Sequence, residues 1–275
     1  MQFFKLSNGV EIPGIGFGTW QLTERVEEVI HMALKAGYTH IDTAAAYKNE
    51  QQIAGAIKTA GVAREALFIT TKVWASERGY EKTKAAVQQS LQNLQTSYID
   101  LMLIHWPAKT GQPGWEEENA GTWRALEEFY EAGTIRAIGV SNFMVHHLQS
   151  LLKTAKVVPM VNQIEYHPGY LQSEVTDFCK EHGILVEAWS PIGSGRVLEN
   201  RLLQELAAKY NTSVGAVCIG FCLQTGVLPL PKSTSETNIK NNINIAFQLE
   251  EEDVVLIKNM SETGWSGLNP DEVPF

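Results

Sequence analysis

Short apolar runs alternate with longer segments of helical period, and this alternation constrains the fold more than any other feature of the chain. The apolar runs fall at 15–18, 40–42, 67–72, 98–105, 135–140, 160–164, 184–189 and 227–231. Most are apolar throughout rather than alternating, as in a parallel sheet covered on its outer face by helices. Between them lie segments with helical spacing. Thr23 stands where a cap would precede Val26, Val29, Ile30, Ala33 and Leu34, and Gly37 follows as a stop. Further helices are expected at 49–58, 80–94, 122–132, 145–152, 174–182 and 214–224, with a last one from Ser235. Eight strand–helix pairs predict an α/β chain folded as a (β/α)8 TIM barrel. Residues 2–13 precede the repeat, and Ser7-Asn8-Gly9 between apolar flanks predicts a β-hairpin. Segments 199–210 and 251–260 do not fit the repeat and predict two extra helices. No linker composition interrupts 1–275, which reads as a single domain. A doubly wound open sheet is the weaker alternative, because no strand is followed by G-x-G-x-x-G.

In such a barrel the reactive groups sit at the C-terminal strand ends. Those ends are Thr19-Trp20, Asp42 with Tyr47 five residues on, Lys72, His105-Trp106, Ser141-Asn142, Gln163, Trp189-Ser190 and Lys232-Ser233. Each end is polar, charged or aromatic although an apolar run leads to it. A lysine ending a strand can be a solvated charge, and a histidine there can be a core residue with one hydrogen bond. Asp42 on a neighbouring strand end gives Lys72 a partner. A charged Lys72 near Tyr47 favours phenolate and lowers the tyrosine pKa. A tyrosine tuned in this way can give up a proton near neutral pH. His105 beside it can donate to a carbonyl oxygen, which makes an oxyanion site.

The stretch G-Y-x-x-I-D-T-A-x-x-Y-x-N-E over residues 37–50 resembles the first signature of the aldo-keto reductase family. L-x9-R-A-I-G-V-S-N-F from Leu126 to Phe143 resembles the second, and L-P-K-S at 230–233 the third. The resemblance runs over essentially the full chain and is closest to the bacterial branch that includes 2,5-diketo-D-gluconate and methylglyoxal reductases. One small departure is Ala54 where the family usually has Gly. The resemblance implies NADPH-dependent reduction of aldehydes and ketones, with Asp42, Tyr47, Lys72 and His105 as the catalytic set. Tyr47 would be the general acid, Lys72 would lower its pKa, Asp42 would hold Lys72, and His105 would position the carbonyl.

A proton donor and an oxyanion site still need a hydride, which no side chain supplies and a nicotinamide does. Ser141, Asn142 and Gln163 suit a carboxamide, and Trp189 offers a flat face to the ring. Asn142 read alone could be a helix cap and Trp189 a core residue. The resemblance adds Gly18, Thr19, Trp20, Asp42, Ser190, Ile192, Ser194 and Asn242 to the expected cofactor contacts. Lys232, Ser233 and Thr234 before the last helix combine a cation, hydroxyls and helix N-terminal donors, an anion site. In the family this segment binds the 2′-phosphate of NADPH, with an arginine where this chain has Asn238 and a glutamate where it has Asn241. The expected cofactor is NADPH, with weaker discrimination against NADH. Trp20, Trp74 and Trp106, with Tyr47 and His105, are expected to line a substrate pocket. The loop 108–121 and the tail 261–275 are expected to close over it.

The net charge of −9 argues against a polyanion-binding surface. Three cysteines give no disulfide framework and fit a reducing cytoplasm. No apolar stretch reaches the length of a signal sequence or a membrane span. Cys218 and Cys222, four apart, read as core rather than as a metal pair, and no metal is expected. His146-His147 reads as surface, and Glu116 to Glu118 as a solvated loop. A monomer is expected, since a closed barrel leaves no open strand edge. Two other functions stand beside the reductase: a nicotinamide-binding regulatory subunit, and a metal-dependent barrel hydrolase, which would need an H-x-H cluster that the strand ends lack.

Overall fold

The computed structural model describes residues 2–275. Strands β1 (Phe3–Lys5) and β2 (Glu11–Pro13) pair antiparallel about Gly9, whose φ of +89° favours glycine. Eight further strands form one parallel sheet in chain order: β3 (Phe17–Gly18), β4 (His40–Asp42), β5 (Phe68–Val73), β6 (Ile99–Ile104), β7 (Ile135–Ser141), β8 (Val161–Glu165), β9 (Leu185–Trp189) and β10 (Leu228–Leu230). The sheet curls until its first and last strands meet. Gly16 N donates to Pro229 O at 3.1 Å, and Gly18 N donates to Pro231 O at 3.1 Å. A side chain at Gly16 would begin 2.4 Å from Leu230 Cδ2 and 2.6 Å from the buried His40 Nδ1, so glycine suits the close packing where the strands meet.

The helices are α1 (Val26–Ala36), α2 (Glu50–Thr59), α3 (Tyr80–Asn93), α4 (Trp115–Glu131), α5 (Val145–Leu152), α6 (Ser173–Glu181), α7 (Arg201–Lys209), α8 (Val214–Gln224), α9 (Glu236–Ile243) and α10 (Glu251–Lys258). They follow the strands, and α7 and α10 are the two extra ones. α1 turns its apolar stripe inward and buries Val26, Val29, Ile30 and Ala33, whereas α8 is buried continuously from Gly215 to Cys222. The free cysteines Cys179, Cys218 and Cys222 are all buried. No single helix among the described residues is long and apolar enough to cross a membrane. Asn8 in the hairpin turn donates to Arg136 O at 2.9 Å, at the start of β7. The hairpin therefore covers the N-terminal end of the barrel and leaves the C-terminal end for the site.

Three local expectations are corrected. α1 begins without help from Thr23; its N-cap is Arg25, in the left-handed region, with no side-chain cap. α4 begins at Trp115, not at 122, so only residues 108–114 remain a loop. Gly114 at φ +77° starts that helix, and Glu116, Glu117 and Glu118 occupy its first turn, where their charge meets the positive end of the dipole. His147 is fully buried, whereas its neighbour His146 is exposed.

Candidate active site

Adjacent strands β4 and β5 carry Asp42 and Lys72 into contact at the C-terminal end of the barrel. Lys72 has no exposed surface. Its Nζ donates to Asp42 Oδ1 at 2.7 Å, to Asp42 Oδ2 at 2.8 Å and to Thr43 O at 2.9 Å. Tyr47 ends a short 3-10 turn after β4, and its ring centroid lies 5.1 Å from Lys72 Nζ. His105 follows β6 directly. Its N–H donates to Val73 O at 3.0 Å, and its ring meets Tyr47 edge-on at 5.5 Å. The four residues expected to act together thus converge.

Burial sets much of their electrostatics. It works against the Lys72 charge, but Asp42, Tyr47 and the hydrogen bond to Asp42 more than offset it, and the lysine pKa is raised. Tyr47 departs from expectation. Lys72 pulls its phenol down, yet burial is the larger effect, Asp42 adds to it, and the net shift is upward. The free site therefore holds Tyr47 as a phenol, a proton donor rather than a base. Burial, and then the Lys72 charge, push His105 well below the usual histidine value. Its ring is neutral, with one N–H to give, and its buried Nδ1 has no hydrogen-bond partner among the described residues.

The other wall comes from β7, β8 and β9. Ser141 and Gln163 stand in register, and Ser141 Oγ donates to Gln163 O at 2.7 Å. Asn142 sits at φ +63° and is no helix cap. Its Nδ2 donates to His105 O at 2.9 Å, and its Oδ1 accepts from Trp189 Nε1 at 2.8 Å. It thus braces the histidine against the half-buried indole. Gln163 Nε2 donates to Asp42 Oδ2 at 2.9 Å and to Glu187 Oε2 at 2.8 Å, so the oxygen is the part of that amide left for a ligand. Thr19 is fully buried, with its hydroxyl on Asp42 O at 2.9 Å and its N–H on the same oxygen at 3.0 Å, while its own carbonyl accepts from Leu22 N at 3.1 Å and Asn49 Nδ2 at 3.0 Å, so its polar groups are already engaged. Buried Gly18 likewise has its N–H on Pro231 O.

Past β9, Ser190 and Ser194 both adopt positive φ and share a 2.8 Å hydroxyl contact around half-buried Ile192. Lys232 and Thr234 are exposed, and Ser233 is half-buried, beside the start of α9. The N-cap of α9, Ser235, makes no side-chain cap, so first-turn N–H groups stay available to an anion. Asn238 and Asn241 are exposed on α9, and Asn242 is buried. These uncapped donors beside a lysine, and an indole held by its N–H with one side open, fit a phosphate-bearing nicotinamide cofactor.

Of the three tryptophans expected at the pocket, Trp106 is buried, Trp74 is half-buried and Trp20 stands 51% exposed. Trp74 packs on His105 at 5.1 Å. The last residue of the chain, Phe275, packs on Trp74 at 4.8 Å and on Trp106 at 5.4 Å, so the tail does fold over this corner. Two side-chain groups that sequence reasoning missed hold the tail. Glu165, at the end of β8, accepts from Arg196 Nη2 at 3.0 Å, from Ser266 N at 3.0 Å and from Ser266 Oγ at 2.6 Å. Asp271 accepts from Thr110 and lies 3.0 Å from His146 Nε2 and 3.3 Å from His147 Nε2. His146, His147 and Asp271 form the one cluster of metal-ligand type among the described residues. Met144 N, however, donates to His147 Nδ1 at 3.2 Å, which leaves the ring proton on the Nε2 that faces Asp271. A metal on that nitrogen would force the proton against the Met144 N–H. The cluster is a clasp on the tail.

Glu165 and Glu187 were legible in principle. Each lies two residues from a recognised site residue on the same strand, Gln163 and Trp189, and so on the same inward face.

The chain belongs to the aldo/keto reductase family, whose model matches residues 14–262. It is 49% identical to a glyoxal reductase of Bacillus subtilis over 98% of this chain and 97% of that protein. It is 37% identical to the methylglyoxal reductase DkgA of Escherichia coli, over 98% and 96% of the two. The crystal structure of a Bombyx mori aldo-keto reductase in complex with NADP superposes with a TM-score of 0.83 at 34% identity, covering 93% of this chain and 91% of that one. The protein is an oxidoreductase that reduces carbonyl groups with NADPH.

Proposed function

We propose that Tyr47 delivers the proton in this reduction and that small aldehydes and 1,2-dicarbonyls are its substrates. The observation that carries the first part is the buried Lys72 ammonium, held by Asp42 and facing a Tyr47 that is a phenol in the free site. When bound, NADPH supplies the hydride. The His105 N–H orients the carbonyl and stabilises charge gathering on its oxygen. As the carbonyl carbon gains the hydride, its oxygen takes the Tyr47 proton, and Lys72 stabilises the phenolate left behind. Exchange with solvent restores the phenol after the alcohol leaves. Trp74, Trp106 and Phe275 form an aromatic corner beside His105 that excludes water. The likeness to a glyoxal reductase supports small dicarbonyls.

Lys232, Ser233 and Thr234 hold the 2′-phosphate, and Trp189 and Gln163 hold the nicotinamide end. With Asn238 in place of an arginine, NADH is also accepted. The protein works as a monomer in a reducing cytoplasm, where its three buried thiols stay free. The test follows reduced-nicotinamide absorbance with glyoxal, methylglyoxal and larger carbonyls in wild type and Tyr47→Phe. The variant keeps NADPH binding, read by fluorescence, and loses turnover about 10²–10⁴-fold. Equal turnover in the two proteins would remove Tyr47 from the mechanism. Tight binding without turnover in wild type would point to a regulatory subunit.

A further inference from the structure

Glu187 lies beside the Asp42–Lys72 pair, and nothing in the reaction described above uses it. It stands on β9 opposite Gln163 and is fully buried. A single amide nitrogen, Gln163 Nε2, bridges the two carboxyl groups, at 2.8 Å from Glu187 Oε2 and 2.9 Å from Asp42 Oδ2. The two acids are otherwise treated unequally. Asp42 receives two donors from the Lys72 ammonium as well. Glu187 receives only the neutral amide, and its Oε1 has no partner among the described residues.

The charges decide what this means. The centre holds one cation, Lys72, because His105 is neutral. Two buried carboxylates against one cation leave a net negative charge away from water, and such pairs resolve when one member keeps its proton. The donors assign the negative charge to Asp42 and the proton to the other acid. We propose that Glu187 is a positioning residue that stands as a neutral carboxylic acid in the resting enzyme, fixing the Gln163 amide with its nitrogen on Asp42 and leaving Asp42 as the sole counter-charge to Lys72.

The surroundings agree. Burial, and then the Asp42 charge, raise the Glu187 carboxyl to about 8, while the Gln163 bond and Lys72 pull the other way. The charged groups that face it are Asp42 from β4 and Lys72 from β5; its strand neighbours Gln163 on β8 and Leu228 on β10 carry no charge. Above that pH the acid ionises and adds a negative charge beside the tetrad. That charge acts on Lys72 and offsets part of the pull the ammonium exerts on Tyr47, so the tyrosine keeps its proton to higher pH.

The test has two arms. Infrared spectra of full-length protein carrying 13C-labelled glutamate show a protonated glutamate carbonyl band at pH 6.5 that fades above pH 8 and is missing in Glu187→Gln. This arm needs no turnover, so its failure is separate from failure of the reductase reading on which the second arm rests. In the second arm, Glu187→Gln keeps an acceptor for Gln163 but cannot ionise. Its alkaline limb for carbonyl reduction falls about half a pH unit or more below that of wild type, roughly threefold in rate at a fixed alkaline pH. A merely structural role would leave the limb in place. No acid band in wild type, an unchanged band in the variant, or superimposable pH profiles would each overturn the proposal. If that variant does not fold, Glu187→Asp takes its place: the unlabelled aspartate removes the labelled acid band if Glu187 carries the proton and leaves it if another buried glutamate does, which would overturn the proposal.

Discussion

Lys72 Nζ lies 2.7 Å and 2.8 Å from the two carboxylate oxygens of Asp42, with no water-accessible surface on the lysine. A pair this deep gains its attraction at the expense of two hydration shells, so its net contribution to stability is small. Removing one member is a different matter, because the other stays buried and charged. Lys72→Met should therefore cost about 3–5 kcal/mol. Asp42→Leu, which strands the ammonium, should cost a similar amount, and the double variant much less than the sum. Urea unfolding of the four proteins measures this directly. Additive costs would mean that the pair is not coupled as its geometry requires.

The pH dependence of reduction follows from two neighbours of that pair. Tyr47, the proposed acid, has a raised pKa, so it holds its proton throughout the neutral range. His105 is pushed well below its usual value and stays neutral over the same range. Neither group titrates near pH 6.5. The kcat/KM for carbonyl reduction should be level from about pH 6 to 8 and decline only on the alkaline side, where Tyr47 ionises. Alcohol oxidation needs the phenolate and should rise along that same limb. An inflection near the ordinary histidine value in wild type, lost in a His105 variant, would contradict the neutral assignment.

Where the sequence was legible, it was so because an apolar run ended abruptly. Asp42, Lys72, His105 and Gln163 each break such a run, and the barrel places every break at the same end. The helix from Trp115 is hidden in the sequence because Gly111, Pro113 and Gly114 have loop composition, and three glutamates that suit a first turn equally suit a solvated loop. The buried state of His147 depends on Trp115 and on Asp271 in the distant tail, which no local pattern reveals. The direction of the Tyr47 shift was missed for a similar reason. The sequence shows that a lysine is near, but desolvation is set by everything packed around the ring.

Buried histidines also govern acid stability. His40 is fully buried in β4, with Nε2 2.9 Å from Thr70 Oγ1, and burial followed by the Lys72 charge lowers it to about 3. In the unfolded chain it takes a proton near pH 6.5. Between those values the unfolded state binds the extra proton, so stability falls as pH falls, by about 1.4 kcal/mol per pH unit for one histidine. Urea unfolding between pH 7 and 5 should show more than this one-histidine slope, because His105 adds to it in the same direction, and His40→Gln should lose one histidine's share whatever that variant costs at pH 7. An unchanged slope would mean that His40 is not the group involved.

The proposed acceptance of NADH turns on Asn238, next to the phosphate contacts proposed for Lys232. Asn238 is exposed on α9, five residues past Ser233 and on the helix whose uncapped N-terminus lies beside Lys232. An amide there gives at most a neutral hydrogen bond to a 2′-phosphate, whereas an arginine gives a charge-assisted, bidentate one. Such a contact is worth about 1.5–3 kcal/mol, or roughly tenfold to a hundredfold in affinity. Asn238→Arg should raise the NADPH-over-NADH ratio of kcat/KM by that factor, mainly through a lower KM for NADPH, and leave NADH kinetics nearly unchanged. Lys232→Gln should move the ratio the other way and flatten the salt dependence of NADPH binding. Equal effects on the two cofactors in either variant would place the phosphate somewhere other than the start of α9.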